Sequence, residues 1–283
     1  MPENKIILTF DLEFWHEGGW IEKYLTASDP PKDYLEESVL PLLACLKKHN
    51  ARATFFVTGK VLKKYPHLVK EIYLSGHEIS SHGFSHRNLN KFSPAEFEEK
   101  HEKSIELIEN IIGKKPKGFR APSCSLNNQS RWVLPILARQ GLKYDSSIFP
   151  AKTPFYGVAN APAHVYKISF NDVSKIDPNS PLIETPLAVY KFLGIRIPIA
   201  GGVYFRFMPL WLYKRLLRGA VSRQGIVNLY FHPHELYKET PIPKQGSWLR
   251  KKIKYFGVKN SFKKLDNLLS IFNFDSIENI LKI

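Results

Sequence analysis

Short apolar runs alternating with longer amphipathic stretches constrain the fold of this 283-residue chain more than any other feature. Residues 5–10 (KIILTF) form a buried strand ahead of an acidic turn. Residues 34–49 set Leu35, Val39, Leu42, Leu43 and Leu46 on one helical face. Residues 53–57 (ATFFV) read as a second buried strand, closed by Thr58 and Gly59. Pro66 opens a helix that runs to about Leu74 and ends at Gly76, and residues 78–81 make a third strand. Ser93-Pro94-Ala95-Glu96 is a capping box with proline at the first helical position. Its helix turns Phe97, Ile105, Ile108, Ile111 and Ile112 inward and stops at Gly113. Further strands are expected near 118–120, 165–170, 182–185 and 226–231, with helices near 131–140, ending at Gly141, and 209–217. Strands separated by helices of this length pair in parallel, as a closed barrel or a doubly wound sheet. In either case the chemistry gathers at the C-terminal strand ends.

Those ends are where the polar residues cluster. The first strand ends in Asp11-Leu12-Glu13, and alternation along an extended chain points both carboxylates the same way. Two adjacent acids repel unless a cation or a shared proton relieves them. After the third strand come His82 and His86, spaced i, i+4, which one helical turn would bring to a single face. Arg120-Ala121-Pro122-Ser123, Tyr144-Asp145-Ser146-Ser147 and Phe231-His232-Pro233-His234-Glu235 follow at later ends. One carboxylate with two imidazoles gives three ligands for a divalent ion and an open position, the pattern of a catalytic site. A second carboxylate as base and a further histidine as acid complete the set for amide or ester hydrolysis.

With these motifs the chain, over roughly residues 6–235, resembles the polysaccharide deacetylases of carbohydrate esterase family 4, the NodB-homology group. The marks are Thr9-Phe10-Asp11-Leu12-Glu13, Ala53 to Gly59, Gly76-His77-Glu78-Ile79, Ser81-His82-Gly83-Phe84-Ser85-His86, Arg120-Ala121-Pro122, Tyr144 to Ser147 and Phe231-His232. The stretch Ala200-Gly201-Gly202-Val203-Tyr204-Phe205-Arg206 looks like the subgroup encoded with bacterial exopolysaccharide and exosortase systems. The resemblance implies an α/β fold, a distorted (β/α)7 TIM-like barrel, at residues 1–240, with 241–283 a basic helical extension packed on it. It also implies one divalent metal and removal of N-acetyl groups from amino sugars. By position, Asp11 would be the base, and Glu13, His82 and His86 the metal ligands. Arg120 would hold Asp11, His232 would be the acid with Asp145 tuning it, and the backbone N–H of Ser123, beside Pro122, would bind the oxyanion.

The family usually has consecutive aspartates where Leu12 intervenes here, so the roles of Asp11 and Glu13 are exchangeable. Ser123 stands where an aromatic is usual after the arginine motif, and the tryptophan expected after Asp145 is missing, which leaves the sugar contacts open. Trp15 and His16 are candidates to line the substrate groove. His234 competes with His232 as acid, Glu184 is either a pocket acid or structural, and His77 caps or packs. Cys124 lacks a second thiol or nearby base for a nucleophilic role. The ligand set suits zinc, with cobalt, nickel and manganese as alternatives. Two other readings are a hydrolase of small amides or ureides, as in allantoinase-like members, and a non-catalytic glycan- or membrane-binding protein.

Charge narrows the partners. Lys and Arg number 41 against 26 acids, a formal +15, so an anionic partner is expected. No nucleic-acid-binding motif accompanies that charge. Two cysteines exclude a disulfide scaffold. Residues 250–264 hold seven basic residues and no acid, interleaved with Ile253, Tyr255, Phe256, Val258 and Phe262. That pattern fits peripheral contact with an anionic membrane. The first apolar run is too short for a secretory leader. The expectation is therefore a cytoplasmic enzyme, peripheral at the inner membrane face, acting on an amino-sugar glycan or a lipid-linked oligosaccharide.

Overall fold

Each apolar run becomes a short strand, because its β-branched and aromatic residues are buried on both faces. The computed structural model describes residues 5–17, 32–153, 156–243 and 246–283. Its strands are β1 (Lys5–Leu12), β2 (Thr54–Val57), β3 (Glu78–Ser81), β4 (Gly118–Phe119), β5 (Tyr144–Asp145), β6 (Tyr166–Lys167), β7 (Ile183–Glu184), β8 (Val189–Phe192), β9 (Ile195–Pro198), β10 (Ile226–Phe231) and β11 (Phe274–Asp275). The main sheet runs β10-β1-β2-β3-β4-β5-β7-β6. All its pairs are parallel except β6 with β7. Just past β7, Leu187 bridges in parallel to Asn228 of β10. The sheet therefore curls through seven parallel strands and meets itself at a single bridge, a distorted, incompletely closed α/β barrel.

Side-chain alternation divides each strand between helices and lumen. On β1, Ile6, Leu8, Phe10 and Leu12 join the large outer core with Phe55, Val57, Ile79, Leu229 and Phe231. Ile7 instead packs inward with Phe56 and Tyr144. Thr9, Asp11 and Glu13 share the parity of Ile7, so the lumen becomes progressively polar towards the C-terminal rim.

The opposite end is stoppered by the chain's own C-terminus. Helix Ile277–Leu281 buries Ile277 and Ile280 against Ile7, Phe56 and Tyr144. Its first amides are satisfied from the barrel: Ile277 N–H donates to Thr54 Oγ1 (2.9 Å) and Glu278 N–H to Glu78 Oε2 (3.0 Å). β11 lies parallel to β1 at Ile6 and Ile7. Residues 241–283 thus contribute a strand and a plug in addition to helices.

Helix Pro94–Ile112 starts and stops as expected, with Gly113 at φ 80°. Only half of the capping box forms. Ser93 Oγ accepts from Glu96 N–H (3.2 Å), while the Glu96 carboxylate turns to Arg87 (2.7 Å) and Lys100 (2.8 Å). Helix Gly59–Lys64 and the β8–β9 hairpin were not expected, and helix Leu210–Gln224 runs well beyond 217.

Candidate active site

At the polar rim, residues of lumen-facing parity converge from β1, from the segment after β3, and from the ends of β4 and β10. Arg120, fully buried just after β4, is the organising cation. Its Nη1 donates to Asp11 Oδ1 (2.7 Å) and Thr9 Oγ1 (2.9 Å). Its Nε and Nη2 reach the carbonyl (2.9 Å) and hydroxyl (2.8 Å) of Ser146. The guanidinium also lies 4.2 Å from the Phe56 ring centroid. Four of the five guanidinium N–H groups thus have acceptors, and removing one partner of such a buried pair typically costs about 3–5 kcal/mol.

Asp11 Oδ2 is left facing the lumen, 3.8 Å from His82 Nε2 and 4.0 Å from His232 Nε2. Glu13 Oε2 lies 2.8 Å from His86 Nε2 and 3.6 Å from His82 Nε2, and its Oε1 lies 3.6 Å from His232 Nε2. Burial alone would raise the Glu13 carboxyl, but the charge of His86 and the neighbouring imidazoles hold it well below the usual range. Burial would lower His86, and Glu13 raises it instead.

The expected helical turn from His82 to His86 does not form. Gly83 takes φ 75°, a left-handed conformation that breaks a helix, and residues 82–88 run as loop and bends. The two imidazoles still meet over Glu13, with ring centroids 5.5 Å apart. His82 Nδ1–H donates to the Arg120 carbonyl (2.8 Å), which fixes the tautomer and turns the Nε2 lone pair into the lumen.

The ligand atoms of Glu13, His82 and His86 all lie within 4.8 Å of one another. Glu13 Oε2 and His82 Nε2 are buried without a properly directed hydrogen-bond partner. Two orphaned lone-pair atoms aimed at one point fit a divalent cation. A second group among the described residues, Cys45, His49 and Asp266, fits one poorly. There Asp266 already accepts from His49 (2.7 Å) and Lys48 (2.8 Å), and a lysine competes with a cation.

His232 ends β10 and has a partner the sequence reading missed. Its Nδ1–H donates to Glu235 Oε2 (2.9 Å), and Glu235 Oε1 pairs with the buried Arg206 (2.6 Å). Burial would lower His232, but the Glu235 carboxylate, with help from Glu13 and Asp11, raises it to about 9. His234 is pushed well below its usual value by burial and by the charges of His232 and Lys254. Of the two histidines, His232 is the one facing Asp11 and Glu13.

Asp145 does not tune His232. It lies one residue from the lumen-facing Tyr144 and Ser146, so alternation sends its carboxylate out of the lumen. There it accepts from the Ser147 amide (2.9 Å) and hydroxyl (2.8 Å), beside its register partner Glu184. Burial pushes both acids up, and the nearby Asp145 charge sends Glu184 well above the carboxylate range. Glu184 is fully buried and accepts from the Ile148 amide (3.1 Å), which makes it structural. The Ala200–Arg206 motif has a physical reading here. A Cβ on Gly202 would sit 2.2 Å from Glu235 Oε2, and Arg206 neutralises that carboxylate.

The remaining candidates divide. Ser123 and Cys124, after Pro122, both adopt left-handed φ (55° and 48°) without being glycine. Such strain is stored at functional loops at about 1–3 kcal/mol per residue. Ser123 is exposed, whereas Pro122 is buried against the Gly83 turn. Trp15 is not a groove residue: its indole is buried and Nε1–H donates to the Lys32 carbonyl (2.9 Å), so the ring is not free to stack on a sugar. His16 stays partly exposed beside it. His77 is buried against Phe55 (5.4 Å) and lowered to about 4 by burial. The buried Cys124 thiol, raised to about 12 by burial, is inert.

Residues 1–144 match the model of the polysaccharide deacetylases. The chain belongs to the polysaccharide deacetylase family. Residues 146–282 match a second model, a domain of unknown function (DUF3473), which supplies β10, His232, Glu235 and Arg206. A Bacillus cereus peptidoglycan-N-acetylglucosamine deacetylase is 35% identical over 42% of this chain and 48% of its own length. A Helicobacter pylori peptidoglycan deacetylase is 31% identical over 54% of this chain and 53% of its own. The chain thus spans about half the length of these curated relatives. In fold it is similar to a Mycobacterium smegmatis protein assigned as a polysaccharide deacetylase (TM-score 0.60, 20% identity, 100% of this chain and 91% of that one). It is equally similar to an allantoinase (TM-score 0.60, 14% identity, 100% and 91%). A Bacillus anthracis family 4 pseudoenzyme also shares the fold (TM-score 0.52, 15% identity, 99% and 66%). Fold alone therefore leaves the activity to the site.

Proposed function

We propose that this protein is a metal-dependent hydrolase that removes N-acyl groups from amino-sugar residues of a glycan. The observation that carries this reading is the convergence of Asp11, Glu13, His82, His86 and His232 at one rim, with Asp11 fixed by Arg120 and His232 by Glu235. Glu13, His82 and His86 would hold one divalent ion, and zinc is the ion we propose. When bound, such an ion polarises the acyl carbonyl and makes a neighbouring water easier to deprotonate.

Asp11 presents Oδ2 to the lumen while Arg120 occupies Oδ1, so it is placed to take the proton of the attacking water. The water oxygen bonds to the acyl carbon, and the resulting oxyanion is met by the backbone N–H of Ser123. His232, kept protonated by Glu235, gives its Nε2 proton to the departing nitrogen as the C–N bond breaks. The products are a carboxylic acid and a free amino sugar. The two curated bacterial relatives are named as peptidoglycan deacetylases, and we propose a bacterial exopolysaccharide or its lipid-linked precursor as the glycan here, with the enzyme at the cytoplasmic membrane face. The expected result is acetate release from N-acetylglucosamine oligomers by the metal-loaded protein. Turnover of allantoin instead would favour the small-amide reading, and turnover of neither would favour a non-catalytic binding protein.

A further inference from the structure

A helix on a globular protein normally turns its apolar stripe inward and its charges to water. Helix Trp248–Tyr255 instead turns its apolar stripe to water, and none of its residues is buried. At 3.6 residues per turn, Trp248, Lys252, Leu249 and Ile253 fall within an arc of about 140°. Three of these are large apolar groups in water: Trp248 is 70% exposed, Leu249 53% and Ile253 45%. The opposite arc carries Lys254, which is half-buried. Lys254 also offers its carbonyl to Arg206 (2.7 Å).

The apolar surface continues beyond the helix. Phe256 stacks on Phe207 at 4.3 Å, and both side chains are nearly half exposed. Trp211, four residues past Phe207, is 67% exposed. Around them the acid-free run 250–264 leaves Arg250, Lys252, Lys259 and Lys263 exposed, and the Lys252 ammonium rests 5.6 Å from the Trp248 ring centroid. Tryptophan, leucine and isoleucine rimmed by lysine and arginine, with no acid among them, match an anionic lipid surface in both charge and hydropathy.

We infer that helix Trp248–Tyr255 and the adjoining Phe207 and Phe256 rings form a docking face for an anionic lipid bilayer. Among the described residues no helix is long and apolar enough to cross a membrane, so the contact is peripheral. Because the Lys254 carbonyl of the same helix accepts from Arg206, which pairs with Glu235 beside His232, docking would hold the barrel rim next to the lipid surface. The inference does not depend on the deacetylase reading, since binding is measured without turnover.

The test is co-sedimentation of the full chain with vesicles of phosphatidylcholine alone and of phosphatidylcholine mixed with phosphatidylglycerol, at low and at physiological ionic strength. The wild type is expected to pellet with the mixed vesicles and weakly or not at all with the neutral ones, with a blue shift of tryptophan fluorescence. A basic residue near such a surface is worth about fivefold in partitioning, so the double variant R250Q/K252Q should bind at least about tenfold more weakly. The triple variant W248S/L249S/I253S changes only exposed groups and should lose both binding and blue shift. Wild type remaining in the supernatant with anionic vesicles at low salt overturns the inference. So does a triple variant that pellets as well as wild type. A wild-type dimer that the triple variant abolishes, without vesicle binding, would assign the face to a second copy of the chain.

Discussion

Glu235 connects the catalytic proposal to the rest of the molecule. It holds His232 on one oxygen and Arg206 on the other, and Gly202 leaves room for it. Glu235→Gln should keep the metal and KM while kcat falls about 10- to 100-fold, since the imidazole loses the charge that keeps it protonated. Gly202→Ala should reproduce that loss, because its methyl would displace the same carboxylate. Wild-type kcat in both variants would remove Glu235 from the mechanism. The sequence offered a clue in Glu235 standing three residues after His232, but the expected Asp145 occupied the role. The error is one of parity, since a residue one step along a strand faces the other side. The positions of Asp11, Glu13 and His232 were legible because alternation along β1 and β10 fixes which side is in, whereas Arg120 was read from its motif alone.

Asp145 and Glu184 carry a pH prediction of their own. Burial raises both folded-state pKa values, and Asp145 raises Glu184 further while the hydrogen bond with Glu184 lowers Asp145, so the folded protein binds a proton more tightly than the unfolded chain. That contribution is fully present below the unfolded values of 3.8 and 4.5 and is lost as pH rises through the folded ones. Glu184→Gln cannot ionise, so it should match or exceed wild-type stability at neutral pH and converge with it in acid. Urea melts across that range measure this, and a variant less stable by more than about 1 kcal/mol at neutral pH would contradict a Glu184 carboxyl raised by burial.

At the scale of elements, helices were easier to read than strands. Helix Pro94–Ile112 announces itself through Ser93, Pro94 and Gly113, and its cap is a local hydrogen bond. Ser93→Ala should cost about 1 kcal/mol in a denaturant melt. No cost would mean that the Glu96 amide finds another acceptor. β4, β5 and β7 have two residues each, too few for a period to show, and their existence depends on neighbours distant in sequence. The β8–β9 hairpin was missed for another reason. Its turn, Leu193-Gly194, has positive φ at both positions (45° and 79°), the primed geometry that matches strand twist. Leucine is an unusual residue there, and Phe192, Leu193 and Ile195 are largely exposed, so neither turn chemistry nor alternation marked it. His82 and His86 are instructive in the other direction: the spacing found the pair, but Gly83 forbids the helical turn that motivated it.

For the molecule as a whole, the two family regions are one structure. β10 of the second region pairs along β1 of the first from Lys5 to Phe10, and the C-terminal helix closes the lumen that the first strands line. The proposed base and ligands come from the first region and the proposed acid from the second, so neither region holds the full constellation alone. The net charge of +15 is also partitioned, with acids directed into the rim and an acid-free basic run on the exposed helix and the segment after it.

The central claim is that an ion held by Glu13, His82 and His86 works with a base, Asp11, that does not itself hold it. Metal content and acetate release from N-acetylglucosamine oligomers, measured together on wild type, Asp11→Asn and His82→Ala, test it directly. The account predicts a wild type silenced by a chelator and restored by a divalent ion, an Asp11→Asn protein that keeps the ion but loses at least about 100-fold in kcat, and a His82→Ala protein that loses both. An Asp11→Asn protein with wild-type turnover, or a chelated wild type as active as the loaded one, would contradict it.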